Sequence, residues 1–189
     1  MMVLNALSVR NPDSLTLEDT IATMTTAKKI RPAHVEAHWM LSNIVADTGG
    51  NITFPVDVAR IMDVLDIVLV KTDDDAQLPQ MTINWREQQQ RAYVEAAYND
   101  SDDVKLRYHL ALAIGMIHYT NVLATARTTV EVSATRDDDM TRFARAFATA
   151  LLAPTLAVQQ RHRNGFNTGA LSRIFAVEES VITDVLLDG

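Results

Sequence analysis

The chain has 189 residues, of which 48% are hydrophobic and 22% are charged, a balance typical of a folded globular domain and not of a disordered chain. A net charge of −7 at pH 7 argues against a surface built to neutralise many phosphates, so we expect no nucleic-acid partner. The chain has no cysteine, which excludes a disulfide framework, a thiolate metal site and a cysteine nucleophile.

No segment of the sequence has the pattern of a membrane anchor. The most apolar segment, residues 110–117, is far shorter than the roughly 20 residues that a spanning helix needs. The first residues lack a basic stretch followed by a long apolar run, which is the pattern of a secretory signal. We therefore expect a cytoplasmic protein with no membrane partner.

Two amphipathic helices are predicted in the N-terminal part of the chain. The first spans residues 13–30 and belongs to a helical lead-in over residues 1–31, which precedes a domain over residues 32–189. Pro32 can begin the second helix, because proline is favoured in the first turn, and the glycine pair that follows Thr48 can end it. The apolar stripe of this second helix is expected to consist mainly of Val35, Trp39, Ile44 and Val45.

A short helix and a small sheet are predicted next. The helix covers residues 53–65 and passes directly into a run of β-branched residues at 66–71, which indicates a strand. Residues 81–85 and 92–98 alternate apolar and polar side chains loosely, as two further strands would. We therefore predict a small three-stranded, mostly antiparallel sheet.

Two buried helices are expected at the centre of the domain. The first, at residues 102–121, is apolar nearly all round, which is typical of a helix enclosed by the core. After a polar, threonine-rich segment, residues 137–139 begin the second, which ends near Pro154. Residues 168–189 indicate a C-terminal pair of short helices, joined near Ala176. The predicted fold class is therefore α+β.

This order of elements, together with two sequence segments, resembles the ImmA/IrrE family of zinc metallopeptidases. Residues 107–117, RYHLALAIGMI, are similar to the family's R-F-T-x-A-H-E-x-G-H segment, with Arg107, Ala111 and Gly115 retained in register. Residues 143–154, FARAFATALLAP, resemble the family's E-A-N-x-F-A-x-x-L-L-M-P. The resemblance covers the sequence from about Trp39 onward and implies a zincin-like architecture.

The catalytic residues of that family are not retained. In its H-E-x-x-H helix the two histidines chelate zinc and the glutamate activates the bound water. In this register the histidines fall at Leu112 and Met116, and the glutamate falls at Ala113. The family's third zinc ligand falls at Phe143. The resemblance therefore implies a pseudo-metallopeptidase with no catalytic residue, no metal ligand and no cofactor, in which these positions join the core.

An active metallopeptidase with a rebuilt, histidine-based metal site is the first alternative. His34 and His38 have the i, i+4 spacing of a chelating pair, but Glu36 between them is rotated away, and two half-exposed histidines are the simpler interpretation. His109 is a further candidate ligand. His118 lies nine residues later and is expected to face the opposite side of the same helix, so this pair cannot chelate one ion.

A DNA-binding regulator that uses the C-terminal helix pair is the second alternative. Residues 171–186 have the rhythm of a helix-turn-helix unit. Their second helix, however, carries Glu178, Glu179 and Asp184 and no lysine or arginine, so DNA phosphates would repel it.

The resemblance implies that the chain acts by binding another protein. Members of the family act on, or are encoded beside, helix-turn-helix repressors in phages and mobile elements, so a repressor is the implied partner. We expect it to dock on the sheet at residues 92–98 or 81–85, taken as an edge that can pair with an extended peptide. The candidate anchors are Trp85, Tyr93 and Tyr98, because large aromatic side chains carry much interface energy. Ordinary sheet positions are the simpler interpretation of these three.

Overall fold

The computed structural model describes residues 31–48, 52–72, 80–86, 91–97, 103–123 and 129–187. In these ranges the chain forms an α+β fold, which confirms the predicted fold class. The helices are α1 (Ala33–Thr48), α2 (Val58–Val64), α3 (Asp103–Leu123), α4 (Asp139–Leu152), α5 (Thr155–Arg163), α6 (Thr168–Phe175) and α7 (Glu179–Leu187). The strands are β1 (Val68–Thr72), β2 (Gln80–Arg86), β3 (Arg91–Ala97) and β4 (Val130–Val132). The predicted helix at residues 13–30 lies outside the described residues.

The sheet has four strands in the order β1-β3-β2-β4. Strands β2 and β3 are antiparallel, and β4 lies antiparallel to the other side of β2. Strand β3 lies between β1 and β2, so β1 and β2 are not neighbours. The pairing of β3 with β1 is parallel. The prediction of a three-stranded, mostly antiparallel sheet is therefore wrong in its strand count. The sheet is mixed, with two antiparallel pairings and one parallel pairing.

One face of the sheet packs against the core. Ile83 of β2 and Val94 of β3 are paired in register, and neither has exposed surface. Since side chains alternate between the two faces of a strand, their neighbours two residues away share this face. Helix α3, with 21 residues or about six turns, lies within the same core, and residues 110–117 of α3 are all buried. The prediction of a buried central helix is confirmed.

Helix α4 packs closely against α3. Its N-cap is Asp138, whose carboxylate accepts a hydrogen bond from the Thr141 amide at 2.7 Å, as the acidic run at residues 137–139 predicts. A Cβ atom on Gly115 of α3 would lie 3.0 Å from the Cα of Ala144 and 3.2 Å from Phe147. The absence of a side chain at Gly115 therefore allows the backbones of the two helices to approach each other.

Helix α1 presents a different face to the core from the predicted one. Trp39, expected in the apolar stripe, is 50% exposed. The guanidinium of Arg31 lies over the Trp39 ring, 5.5 Å from its centroid, which gives this ring a cation partner at the surface. The residues that α1 buries are Ala33, Glu36, Ala37, Met40 and Leu41.

The C-terminal helix pair is confirmed as α6 and α7. Ala176 ends α6 in the left-handed conformation, with φ of 49°, and the hydroxyl of Ser172 donates to the Val177 carbonyl at 2.6 Å. Helix α5 has no counterpart among the predicted elements. It begins directly after Pro154, which ends one helix and acts as N-cap of the next.

In the described ranges, no helix combines the length and apolar character needed to cross a membrane.

The close approach of α3 and α4 predicts the effect of adding one methyl group. We expect Gly115→Ala to be less stable than Gly169→Ala by about 1 to 3 kcal/mol, because the new methyl at residue 115 meets backbone. The matched control is in α6, where a Cβ on Gly169 would lie 3.0 Å from the flexible carboxylate of Glu179. Gly115 lies in a helix interior and Gly169 in the first turn of α6, so the gain in helix propensity is at least as large at Gly115 and cannot explain a lower stability there. Urea denaturation of the two variants measures the difference, and equal stabilities would contradict close backbone packing at Gly115.

Candidate functional site

The positions that correspond to the metallopeptidase motif lie in closely packed core. Leu112, Ala113 and Met116 of α3 have no exposed surface. Phe143 is half-buried on α4, where its ring centroid lies 5.3 Å from that of Tyr119 and 6.0 Å from that of Phe147. None of the four side chains carries a nitrogen or oxygen atom, so these positions offer neither a zinc ligand nor a group that transfers a proton.

A buried ionic cluster lies at the contact between α1 and α3. Both carboxylate oxygens of Glu36 accept hydrogen bonds from Arg31, at 2.6 and 3.0 Å. His118 Nε2 donates to the same carboxylate at 3.0 Å. The side chains of Glu36 and His118 are only 5% and 15% exposed, whereas that of Arg31 is 50% exposed. We call Arg31, Glu36 and His118 the Glu36 cluster.

Aromatic rings of α4 hold the imidazole of His118. Its ring centroid lies 5.7 Å from that of Phe147 and 6.3 Å from that of Phe143, with both ring pairs close to parallel. The imidazole therefore contacts α4 through its ring and α1 through Glu36. Phe143, where the resemblance would place a third zinc ligand, thus packs against a histidine.

The charges of the cluster favour an ionised glutamate. Burial raises the pKa of Glu36, but the hydrogen bonds from Arg31 and His118 outweigh burial, and the net effect is a pKa below its ordinary value of 4.5. The carboxylate is therefore charged at neutral pH and paired on both oxygens. This arrangement stabilises the contact of three helices and offers no open coordination position for a ligand.

The Glu36 cluster was not predicted, although the sequence contains one signal for it. The rotation of Glu36 away from His34 and His38 places a carboxylate on the inner face of an amphipathic helix, and a buried carboxylate needs a cation partner. The partner is 82 residues away in the sequence, so local spacing does not reveal it.

The three histidines of the alternative metal site are not brought together. His34 is exposed and His38 is half-buried on α1, while His109 of α3 bonds through Nδ1 to its own helix at the Lys105 carbonyl, 2.9 Å away. Burial lowers the pKa of His38, and the neighbouring His34 lowers it further. In the ranges that the structure describes, no group of three or more histidine, aspartate or glutamate side chains could hold a metal ion.

The strands expected to form a docking edge lie inside the sheet. Strand β3 pairs with β1 on one side and β2 on the other, and β2 pairs with β3 and β4. The prediction of an accessible edge is therefore wrong for residues 93–97, which β1 covers, and for residues 81–83, which β4 covers. The pairing with β4 does not extend to Asn84 and Trp85. Trp85 is half-buried against the core and Tyr93 is buried, and Tyr98 lies outside the described residues.

Arg107, one of the residues that carry the resemblance, has a structural contact. Its guanidinium Nη2 donates to the carbonyl of Val56 at 2.8 Å, across 51 residues of sequence. This hydrogen bond joins the start of α3 to the segment just before α2. Arg107 and Gly115, two of the residues that carry the resemblance, therefore both support the packing of the domain.

No protein-family model matches this chain, and a search of curated proteins finds no match. The resemblance described above therefore depends on the quoted segments and on the order of the elements.

The Glu36 cluster predicts a pH-dependent loss of stability when its carboxylate is removed. We expect Glu36→Gln to cost about 1 to 3 kcal/mol near neutral pH, because Arg31 and His118 lose a buried charged acceptor. As the pH falls through the lowered pKa of Glu36, below 4.5, the parent loses this contribution and the two proteins approach equal stability.

Urea denaturation across this pH range measures the difference. Glu131→Gln, at an exposed position of β4, is the matched control and is expected to change stability little at any pH. A difference between Glu36→Gln and the parent that grows in acid would contradict a lowered pKa for Glu36.

Proposed function

We propose that this chain is a catalytically inactive protein of ImmA/IrrE-like architecture that acts by binding another protein. The observation that carries the proposal is the complete burial of Leu112, Ala113 and Met116 at the positions where the resemblance places two zinc ligands and the general base. Catalytic zinc needs three protein ligands and one open coordination position. Apolar side chains without exposed surface supply neither.

The retained residues support the same proposal. Gly115 allows α3 and α4 to approach closely, and Arg107 joins α3 to the segment before α2. Both contacts concern packing and neither needs a metal. A protein that keeps the fold of an enzyme family without its activity is expected to keep the residues that pack the domain and to replace the residues that react.

The proposed partner is a protein, with a helix-turn-helix repressor as the first candidate. This choice follows from the family resemblance, which implies a role in repressor or immunity control of a phage or mobile element in the cytoplasm. Neither alternative gains support from a specific observation. His34 and His38 lack a third ligand among the described residues, and Glu179 and Asp184 of α7 are exposed acids that would repel DNA.

The test is an experiment that separates binding from cleavage. The purified chain is mixed with the products of the genes adjacent to its own, and complexes are isolated by affinity capture. Intact mass spectrometry then determines whether a captured protein has been cut, and elemental analysis determines the zinc content of the chain.

We expect a captured partner of unchanged mass and far less than one zinc per chain. Cleavage of the partner, or zinc near one per chain that is lost in a His34→Ala, His38→Ala variant, would overturn the inactive assignment in favour of the rebuilt metal site. Failure of every adjacent product to bind would count against the proposed repressor partner.

Restoring the family motif is expected to destabilise the chain. The quadruple variant Leu112→His, Ala113→Glu, Met116→His and Phe143→Glu introduces four polar groups into apolar packing, and each unpaired buried polar group costs about 1 to 3 kcal/mol. The matched control, Leu112→Met with Met116→Leu, keeps the apolar volume and is expected to cost less than about 1.5 kcal/mol for each change. A quadruple variant as stable as the parent without metal would show an open cleft at these positions.

A further inference from the structure

Helix α5 ends in a hydrogen-bonded turn that fixes the backbone after it. The amide of Gly165 donates to the His162 carbonyl at 2.9 Å, and the amide of Phe166 donates to the Arg161 carbonyl at 3.2 Å. Gly165 has a positive φ of 92°, so this pair of hydrogen bonds forms a Schellman motif with glycine at the position of positive φ. His162 Nδ1 also donates to the Phe166 carbonyl at 3.0 Å, which holds the residue that follows the glycine.

The two side chains that this turn places beside Phe166 are polar. In a Schellman motif the residue after the glycine lies over the side chains three and four places before the C-cap, which are Arg161 and Gln160 here. The Arg161 guanidinium lies over the rings of Phe54 and Phe175, at 5.0 and 5.3 Å from their centroids, and Gln160 is exposed. The usual apolar contact of this motif is therefore not available, and Phe166 is 43% exposed.

The outer face of α5 continues this surface toward the start of the helix. Leu156, Gln160 and Arg163 are at i, i+4 and i+7, so they lie on one side of the helix over about 10 Å, and all three are exposed. Leu156 has 75% of its surface exposed. Because the turn places Phe166 beside Gln160, the two apolar side chains flank the same polar residue. We call Leu156, Gln160, Arg163 and Phe166 the α5 surface.

The charge of the α5 surface is opposite to that of the whole chain. Residues 155–177 contain three arginines and no aspartate or glutamate, whereas the chain carries a net charge of −7. The side chain of Arg163 forms no ion pair or hydrogen bond with the residues that the structure describes. The helix dipole favours a cation at this end of α5, but it does not explain two exposed large apolar side chains beside the cation. Charge complementarity therefore favours a partner with carboxylates.

A protein partner fits this surface better than a nucleic acid or a second copy of the chain. Leu156 and Phe166 need apolar cover, which phosphates do not provide. The exposed acids Glu179 and Asp184 belong to α7, which packs against α5, and they would repel a phosphate backbone. In a symmetric contact of two α5 surfaces, Arg163 would find no carboxylate, because the surface contains none.

We propose that the α5 surface binds an acidic amphipathic helix of a protein partner. The surface is one side of a helix over two turns, and helices pack along such faces by fitting ridges into grooves. The apolar stripe of the partner helix covers Leu156 and Phe166, and a flanking glutamate or aspartate pairs with Arg163. The rigid turn lowers the entropy lost when Phe166 is ordered by binding. This inference rests on the proposed function and specifies the surface and the chemistry of the partner.

The probe is a synthetic helical peptide of about 21 residues, with leucine at heptad positions a and d and glutamate on both sides of this stripe. One comparison peptide has lysine in place of glutamate, and a second keeps the glutamates but has alanine in place of leucine. The like charges on each peptide disfavour pairing with itself. NMR chemical-shift changes locate the peptide on the full chain, and the same titration measures Kd.

The variants are Phe166→Ala and Arg163→Glu, each with a matched control outside the α5 surface. Leu65→Ala changes an apolar residue that is 39% exposed, and Arg60→Glu changes an exposed arginine of α2. Circular dichroism and urea denaturation first establish that the variants are folded. If one variant of the α5 surface does not fold, the other variant and the comparison peptides still decide the outcome.

We expect the glutamate peptide to shift the amide signals of residues 156–167. Phe166→Ala and Arg163→Glu are each expected to weaken its binding at least about fivefold, whereas the two controls leave it within about twofold. The lysine and alanine peptides are expected to bind the parent at least about fivefold more weakly than the glutamate peptide. Arg163→Glu is expected to bind the lysine peptide more tightly than the parent does, because the charge complementarity is reversed.

Several results would overturn the inference. They are no saturable binding of the glutamate peptide below about 1 mM, equal binding of either comparison peptide, shifts centred outside residues 156–167, tighter binding of duplex DNA at this surface, or a dimer of the free chain formed through it. If a captured product of an adjacent gene binds both variants as tightly as the parent, the α5 surface is wrong while the proposed function stands. If the peptide binds at α5 but the chain cleaves its partner, the inactive assignment is wrong while the α5 surface stands.

Discussion

The close contact of α3 and α4 at Gly115 is the constraint on which the rest of the domain depends. Because Gly115 has no side chain, the Cα of Ala144 can lie near the backbone of α3, and Phe147 packs against the same point. This contact places one side of α3 on α4, while β2 and α2 also contact α3. An α3 enclosed in this way has little surface left for a ligand, and residues 110–117 are buried without a break.

Burial and catalysis make opposite demands on such a helix. A metal site needs polar ligands that are held firmly and yet open to substrate, whereas a core helix gains about 1.5 to 3 kcal/mol for each large apolar side chain that it buries. Leu112 and Met116 satisfy the second demand, and Ala113 is small enough to fit between packed elements. A buried polar interaction of α3 is found instead in the Glu36 cluster, where both carboxylate oxygens of Glu36 accept hydrogen bonds.

Sequence periodicity predicted the elements whose pattern is local. The apolar run of α3, the acidic start of α4 at Asp138 and the break between α6 and α7 at Ala176 are each determined by neighbours within a few residues. Strand β4 was missed because three residues are too few for alternation to be distinguished from chance. The buried face of α1 was misassigned because its small residues and Glu36 pack inside, while the larger Trp39 remains exposed beside Arg31.

The position of the sheet edge could not follow from the sequence, because strand order depends on pairings between distant segments. Residues 81–85 and 92–98 alternate apolar and polar side chains, which indicates one buried face but does not reveal which strand lies at an edge. Strand β3 lies between β1 and β2, so both of its edges are paired. The outer strands are β1 and β4, although the β-branched run of β1 is typical of an interior strand. The motif positions are enclosed in core, and residues 81–83 and 93–97 are paired on both sides. The two places where sequence reasoning looked for a site are therefore both occupied by packing and pairing that only the tertiary fold determines.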